Sequence, residues 1–120
     1  MSIPVSLELI GEAAHRIKST VRRTPLLDVL GPANCRLLLK CENFQVTGSF
    51  KIRGAYNLVS QLASEFPTSG VITYSSGNHA QAVAYAARRL GLSAVVVMPE
   101  TAPIIKVDGA RSYGAEVLFE

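Results

Sequence analysis

Tryptophan is absent from this 120-residue chain, cysteine occurs twice, and charged residues make up only 18% of the total. Cys35 and Cys41 fit neither a C-x-x-C motif nor a Cys/His ligand spacing, so no metal site is predicted. The first residues lack the basic segment and long apolar run of a secretory signal. Two cysteines in such a chain are typical of reduced thiols, and we therefore expect a cytoplasmic protein.

Long hydrophobic runs and clusters of one charge are also missing. The longest strongly apolar stretch, residues 94–98, is far too short to cross a bilayer, so no membrane partner is expected. The net charge is +3, and the only adjacent basic pairs are Arg22-Arg23 and Arg88-Arg89, which predicts no nucleic-acid partner. Neither G-x-G-x-x-G nor a P-loop occurs, which removes the usual support for a nucleotide site.

What is present is an apolar fraction of 48%, sufficient to build a core, and a regular alternation of elements in the second half. The predicted order is strand, helix, strand, helix and strand, at residues 71–74, 78–90, 94–98, 102–114 and 116–119. This alternation favours an α/β fold with an open parallel sheet flanked by helices. The chain stops inside an apparent strand, and a parallel strand needs a neighbour, so we expect the fold to be incomplete.

The first half is less regular. Ser6 is expected to cap a helix whose apolar face runs from Leu7 to Val21 and which ends at Thr24-Pro25. Residues 37–41 are interpreted as a short buried strand. A polar loop at residues 42–48 then leads to a second helix, which we expect Ser49 to cap, while Glu42 and Asn43 brace the loop.

The segment Thr47-Gly48-Ser49-Phe50-Lys51 is the first candidate site. Gly48 permits an unusual backbone angle, and Lys51 falls in the first turn of the second helix. The positive end of a helix dipole disfavours the protonated form of an amine, which suits a lysine that acts as a nucleophile. An ordinary surface lysine remains the alternative interpretation of this spacing.

The second candidate site is Ser75-Ser76-Gly77-Asn78-His79, which follows one strand and opens a helix. In open α/β sheets, ligands bind at the carboxyl ends of strands, and free N–H groups at a helix start bind anions. A small polar ligand with a carboxylate or phosphate would suit this turn. A capped turn with a surface histidine explains it equally well. No acidic residue at close spacing completes a Ser-His-Asp triad.

Together these segments resemble one known family. KCENFQVTGSFKIRGA at residues 40–55 resembles the pyridoxal-phosphate (PLP) lysine signature of serine/threonine dehydratases and serine racemases, and TYSSGNHAQA at residues 73–82 resembles their second signature. RTPL at residues 23–26, MPETAP at 98–103, Lys106, and YGAE at 113–116 match in order and approximate spacing. The resemblance covers almost the whole chain from Arg23 onward, and the lysine segment is its most specific part.

The resemblance implies a fold-type II PLP enzyme. Residues 1–66 would belong to the large PLP-binding domain, and residues 67–120 would form the first β-α-β-α-β part of the small domain. Lys51 would form the Schiff base with the cofactor aldehyde, Phe50 would pack against the pyridine ring, and Asn78 would hydrogen-bond the ring hydroxyl. The substrate carboxylate would be surrounded by Ser75, Ser76, Asn78 and His79.

The activity implied is that of an ammonia-lyase (dehydratase) of hydroxy amino acids, namely threonine, serine or 3-hydroxyaspartate. At the second turn, many threonine dehydratases have a motif that resembles Ser-Ala-Gly-Asn-His, with alanine at its second position. Here that position is Ser76, which resembles the motif of serine racemases and hydroxyaspartate dehydratases. Its hydroxyl would act as acid or base on the face opposite Lys51, giving some racemase capacity. The complete enzyme is expected to be a homodimer, and any divalent cation would be held by acidic ligands outside this chain.

Two alternatives stay open. A β-replacement enzyme like cysteine synthase is less favoured, because that group resembles Ser-Gly-Asn-Thr where His79 follows Asn78 here. A truncated, non-catalytic amino-acid-binding or interaction module is the other. The family's glycine-rich phosphate loop and the later Ser, Thr or Cys that faces the pyridine nitrogen do not occur in residues 1–120. We therefore expect residues 1–120 alone to be inactive or nearly so.

Overall fold

A computed structural model describes residues 4–120 of the chain. Over that range it contains four α-helices, α1 Leu7–Ile17, α2 Lys51–Glu65, α3 Asn78–Leu90 and α4 Ile104–Ser112. The strands are β1 Leu26–Leu30, β2 Arg36–Lys40, β3 Val71–Tyr74, β4 Ala94–Met98 and β5 Glu116–Phe119. None of the helices formed by residues 4–120 is both long enough and apolar enough to span a membrane.

The second half forms the predicted parallel sheet. Its order is β3-β4-β5, with Val71 opposite Ala94 and Val95 opposite Glu116, and both pairings are parallel. The central strand β4 alternates between fully and partly buried residues, as a strand does when both faces are covered. The α/β fold and the strand and helix order of residues 67–120 are therefore confirmed.

Helix α3 packs against neighbouring elements on two sides, and almost all of its buried residues are alanine. Against the sheet and α4 it contributes to a cluster of Ala80, Ala84, Ala87, Ala94, Val96, Met98, Val107, Ala110 and Ala115. Against α2 it contributes to a second cluster of Ile52, Ala55, Val59, Ala82, Val83 and Ala86. Small side chains let the helix axes approach closely. Helices α2 and α3, which begin at the two candidate segments, are thus packed directly together.

The first half differs from expectation in its strands. The sequence predicts a buried strand at residues 37–41, but β2 is exposed along its whole length and pairs antiparallel with β1, a strand that the sequence does not predict. The prediction of a strand here is confirmed, and the prediction that the strand is buried is wrong. The physical reason is that nothing among residues 4–120 covers the hairpin, and Leu27, Leu37 and Leu39 on one of its faces are 48%, 40% and 43% exposed.

Helix α1 is capped as predicted, since Ser6 Oγ accepts a hydrogen bond from the backbone N–H of Leu9 at 3.2 Å. The helix ends at Ile17, earlier than the expected stop at Thr24-Pro25. Its apolar face is also less buried than expected, because only Ile17 packs inside while Leu7 is 86% exposed.

Two later helices begin slightly beyond the expected residue. Phe50, in a helical conformation, occupies the N-cap position of α2, in place of the expected Ser49. Pro103 precedes α4 with an extended ψ of 129° and lies outside its first turn. The end of α3 is as predicted, because Gly91 caps it at φ 72°.

Candidate active site

Lys51 is the first residue of α2, and its side chain is exposed. Its Nζ lies 5.1 Å from the ring centroid of Phe50, close enough for a cation–π contact. Ser49 is buried just before it, and its Oγ accepts a long hydrogen bond of 3.4 Å from the backbone N–H of Lys51. The predicted placement of a primary amine in the first turn of the helix is therefore observed.

The backbone before Lys51 is unusual at two consecutive residues. Thr47 has φ 66° and Gly48 has φ 72°, both in the left-handed region. Glycine adopts that conformation without cost, whereas a β-branched residue such as threonine does so only when its surroundings require it. The prediction for Gly48 is confirmed, and the strain at Thr47 is not visible in the sequence.

Glu42 braces this loop, as predicted. Arg53 of α2 donates to both carboxylate oxygens of Glu42, from Nη2 to Oε1 at 2.7 Å and from Nε to Oε2 at 2.9 Å. Thr24 adds a hydroxyl donor to Oε1 at 2.5 Å. These bonds, above all those from Arg53, lower the pKa of Glu42 from 4.5 to about 2 against the opposing effect of burial. Asn43 is exposed, and its bracing role stays a prediction.

Gln45 extends the same brace to the chain before β1. Its side-chain amide accepts from the backbone N–H of Arg22 and donates to the carbonyl of Arg22, both at 2.8 Å. The side chain is almost fully buried, so these bonds satisfy polar atoms that water cannot reach. Sequence reasoning does not single out Gln45, Thr24 or Arg53, because their partners are distant along the chain.

The turn between β3 and α3 lies at the carboxyl end of a strand, as predicted. Ser75 still pairs with β4, donating its backbone N–H to the carbonyl of Val97 at 3.0 Å. Its Oγ accepts from the backbone N–H of Gly77 at 3.2 Å, which closes the turn. Ser76 is exposed at the tip, and α3 begins at Asn78. The turn is thus fixed by its own hydrogen bonds, with Ser76 presented outward.

Asn78 has a partner that the sequence does not predict. The ammonium group of Lys106, on α4, donates to Asn78 Oδ1 at 2.6 Å. In the sequence, Lys106 is only one of the positions that carry the family resemblance, with no role assigned.

Of the second candidate segment, only His79 shares a recess with Lys51 and Phe50; Ser75, Ser76 and Asn78 do not line it. Its volume is about 320 Å³, and it is lined by Phe50, Lys51, Arg53, Gly54, Ala55 and His79. The structure therefore places Lys51 and His79 on the same cavity, although residues 52–78 separate them in the sequence.

These groups suit PLP by their chemistry. An exposed primary amine can bond to an aldehyde, an adjacent aromatic ring can pack against a pyridine ring, and an amide can meet a ring hydroxyl. Lys51, Phe50 and Asn78 supply these three groups. Among residues 4–120, no cluster of three or more His, Cys, Asp or Glu side chains is placed to hold a metal ion.

Comparison with known proteins identifies the family of this chain. The family model described as "Pyridoxal-phosphate dependent enzyme" matches residues 17–119 of the chain. The chain belongs to this family of PLP-dependent enzymes, and its fold is that of fold-type II members.

The chain is also similar to individual proteins of known activity. The chain is 47% identical to the catabolic L-threonine dehydratase of Staphylococcus aureus strain N315, over 97% of this chain and 35% of that protein. The crystal structure of serine racemase from Dictyostelium discoideum superposes with a TM-score of 0.87 at 43% identity, covering 96% of this chain and 39% of the other. The crystal structure of the T.th. threonine deaminase gives a TM-score of 0.84 at 48% identity, covering 97% and 37%. The chain thus spans little more than a third of the length of these relatives.

Proposed function

We propose that the protein containing this chain is a PLP-dependent ammonia-lyase (dehydratase) of small hydroxy amino acids, such as L-threonine, L-serine or 3-hydroxyaspartate. The observation that carries the proposal is the recess that Lys51 and His79 both line, with the Lys51 amine beside the Phe50 ring. Relatives named threonine dehydratase and serine racemase support the same substrate class.

When bound, PLP supplies an electron sink for the negative charge that develops at the amino-acid Cα. In the proposed site, Lys51 would hold the cofactor covalently through Nζ, and its amine would serve as the base that takes the Cα proton of the substrate. The β-hydroxyl would leave with a proton as water, and uptake of one water would then release ammonia and the 2-oxo acid. Phe50 packs against the pyridine ring, and Asn78 hydrogen-bonds the ring hydroxyl.

The turn after β3 would bind the substrate carboxylate. Ser75, Ser76, Asn78 and His79 surround it in this proposal, and the unpaired N–H groups of the first turn of α3 favour a negative charge there. Ser76, exposed at the tip, is the proposed acid or base on the face opposite Lys51 and gives the enzyme some racemase capacity.

The proposal includes the wider organisation. Residues 1–66 are assigned to the large PLP-binding domain and residues 67–120 to the small domain, in a cytoplasmic homodimer with no nucleic-acid or membrane partner. A divalent cation would be bound by acidic ligands outside this chain.

A non-catalytic amino-acid-binding or interaction module is the second candidate. It would use the turn at residues 75–79 as its binding site and would need no covalent step at Lys51.

The test is covalent labelling of the longest reading frame that contains this chain. The purified protein is mixed with PLP, its visible absorbance is recorded, and borohydride reduction is followed by peptide mass mapping. We expect the absorbance band of a lysine-bound pyridoxal and a reduced adduct on Lys51. Lys51→Ala should abolish both, whereas Lys18→Ala, at an exposed lysine that does not line the recess, should change neither.

An adduct spread over several lysines, or one that survives Lys51→Ala, would contradict the assignment. Assay of ammonia and 2-oxo acid release from threonine, serine and 3-hydroxyaspartate then separates the enzyme from the module. A specific adduct without turnover of any of the three would favour the module.

A further inference from the structure

The side chain of Asn78 has one orientation fixed by chemistry. A lysine ammonium group only donates hydrogen bonds, so the amide atom that faces Lys106 Nζ at 2.6 Å must be the oxygen. The amide nitrogen leaves the same carbon in a different direction. Asn78 therefore presents an N–H donor, and not an acceptor, to whatever lies on the side away from Lys106.

The position of Lys106 is informative because electrostatics alone does not favour it. The N-terminus of α3 carries partial positive charge, and a cation beside it is disfavoured in the absence of a compensating bond. The hydrogen bond to Asn78 Oδ1 supplies that compensation. The bond also draws electron density from the amide, which makes its N–H groups stronger donors.

We propose that Lys106 is a positioning residue, which holds Asn78 so that its Nδ2 donates to the ring oxygen of the cofactor. This inference rests on the proposed function, in which Asn78 meets the ring hydroxyl. A donor at that place favours the ionised form of the hydroxyl, because a hydrogen bond to a charged form stabilises it. Lys106 thereby sets the ionisation of the cofactor without touching it.

The contact itself is tested without cofactor. The protein from the longest reading frame is labelled with ¹⁵N-asparagine, and the side-chain amide signals of Asn78 are assigned by their loss in Asn78→Asp. We expect Lys106→Met to shift these signals and Lys106→Arg to keep them near their original positions. Lys18→Met is the matched control, since it removes an exposed lysine at the end of α1, outside α3 and α4.

The consequence is tested with cofactor, by following visible absorbance against pH. In Lys106→Met the midpoint for ionisation of the ring hydroxyl should move upward by about half to one pH unit, as loss of one hydrogen bond predicts. Lys106→Arg should restore most of the shift. A role in stability alone would lower the melting temperature while leaving the midpoint unchanged, and that result would overturn the proposal.

The two hypotheses fail differently. If the unmodified protein forms no adduct on Lys51, the proposed function is wrong and the role of Lys106 falls with it. If the adduct forms but Lys106→Met leaves both the amide signals and the titration unchanged, only the role of Lys106 is wrong.

Discussion

Arg53 binds Glu42 through two hydrogen bonds of 2.7 and 2.9 Å, which join the loop before Lys51 to α2 in one orientation. A planar guanidinium that meets both oxygens of a carboxylate fixes direction as well as distance. Because Arg53 and Lys51 both lie in the first turn of α2, the Arg53–Glu42 pair fixes the position of that turn relative to the loop.

The pair should make stability depend on pH in the acid range. The pKa of Glu42 is lowered from 4.5 to about 2 by its hydrogen bonds from Arg53. A lowered folded-state pKa means that the stabilisation is fully present above about pH 4.5 and is lost as pH falls towards 2. We expect Glu42→Gln to lower the free energy of unfolding by about 2 kcal/mol at neutral pH. The variant should also make stability less dependent on pH, as measured by urea unfolding across the acid range.

Asp28→Asn is the matched control for that experiment. Asp28 pairs with Arg36 at 2.7 Å, but the two side chains are 53% and 74% exposed, and exposed pairs contribute little. Equal losses in the two variants would show that the Glu42 pair has no special role.

Two glycines offer a comparison of backbone strain at different places. Gly48 and Gly91 both have φ 72°, and a Cβ at either would meet nothing within 4 Å. Replacing either glycine with alanine should therefore lower the free energy of unfolding by about 1 kcal/mol through backbone strain alone, which would be measured as a lower melting temperature. Only Gly48→Ala should also slow cofactor attachment, because Gly48 shapes the approach to Lys51. Equal attachment rates in the two variants would argue against that.

Ser76 can be separated from Ser75 by their reactions. We expect Ser76→Ala to reduce racemisation of serine at least about 100-fold, the effect of losing an acid or base, while elimination changes far less. Ser75→Ala should instead weaken both reactions together, since its proposed role is to bind the carboxylate. Chiral chromatography of serine alongside a 2-oxo acid assay measures both. Unchanged racemisation in Ser76→Ala would remove Ser76 from the mechanism.

The uncovered hairpin predicts self-association of residues 1–120 produced alone. Leu27 and Leu39 are cross-strand partners on one face of β1 and β2, 48% and 43% exposed. Exposed contiguous apolar surface of this kind promotes association. Light scattering should show particle mass rising with concentration, and Leu27→Ser with Leu39→Ser should reduce it. Leu9→Ser, at a 44% exposed position on α1, is the control. A concentration-independent monomer would contradict this expectation.

Residues 67–120 are predictable because each element carries its own local signal. An apolar run marks β4, and Gly91 marks the end of α3. Strand β1 is missed because its residues show no alternation, and it becomes a strand only by pairing with β2. The exposure of the hairpin is not predictable either, since sequence pattern gives the tendency to form a strand and not what lies over it.

The candidate site divides in the same way. Lys51 and the turn at residues 75–79 are candidates because they lie at helix starts, which is a local signal, and it is the family resemblance that assigns their roles. The hydrogen bonds that orient these segments cannot be predicted from local sequence, because Glu42 and Arg53 are 11 residues apart and Asn78 and Lys106 are 28 residues apart. Such contacts exist only after α2, α3 and α4 have packed.

The burial of α3 on two sides has a consequence for how the molecule opens. Beyond its first turn, we expect the amide hydrogens of α3 to exchange mainly when its packing against α2, the sheet and α4 is lost, whereas α1 and the hairpin can open without disturbing either cluster. In native-state hydrogen exchange, the slowest amides should therefore lie in α3, with β4 next. Among residues 4–120, we therefore expect the helix that carries Asn78 and His79 at its start to be the last element to unfold.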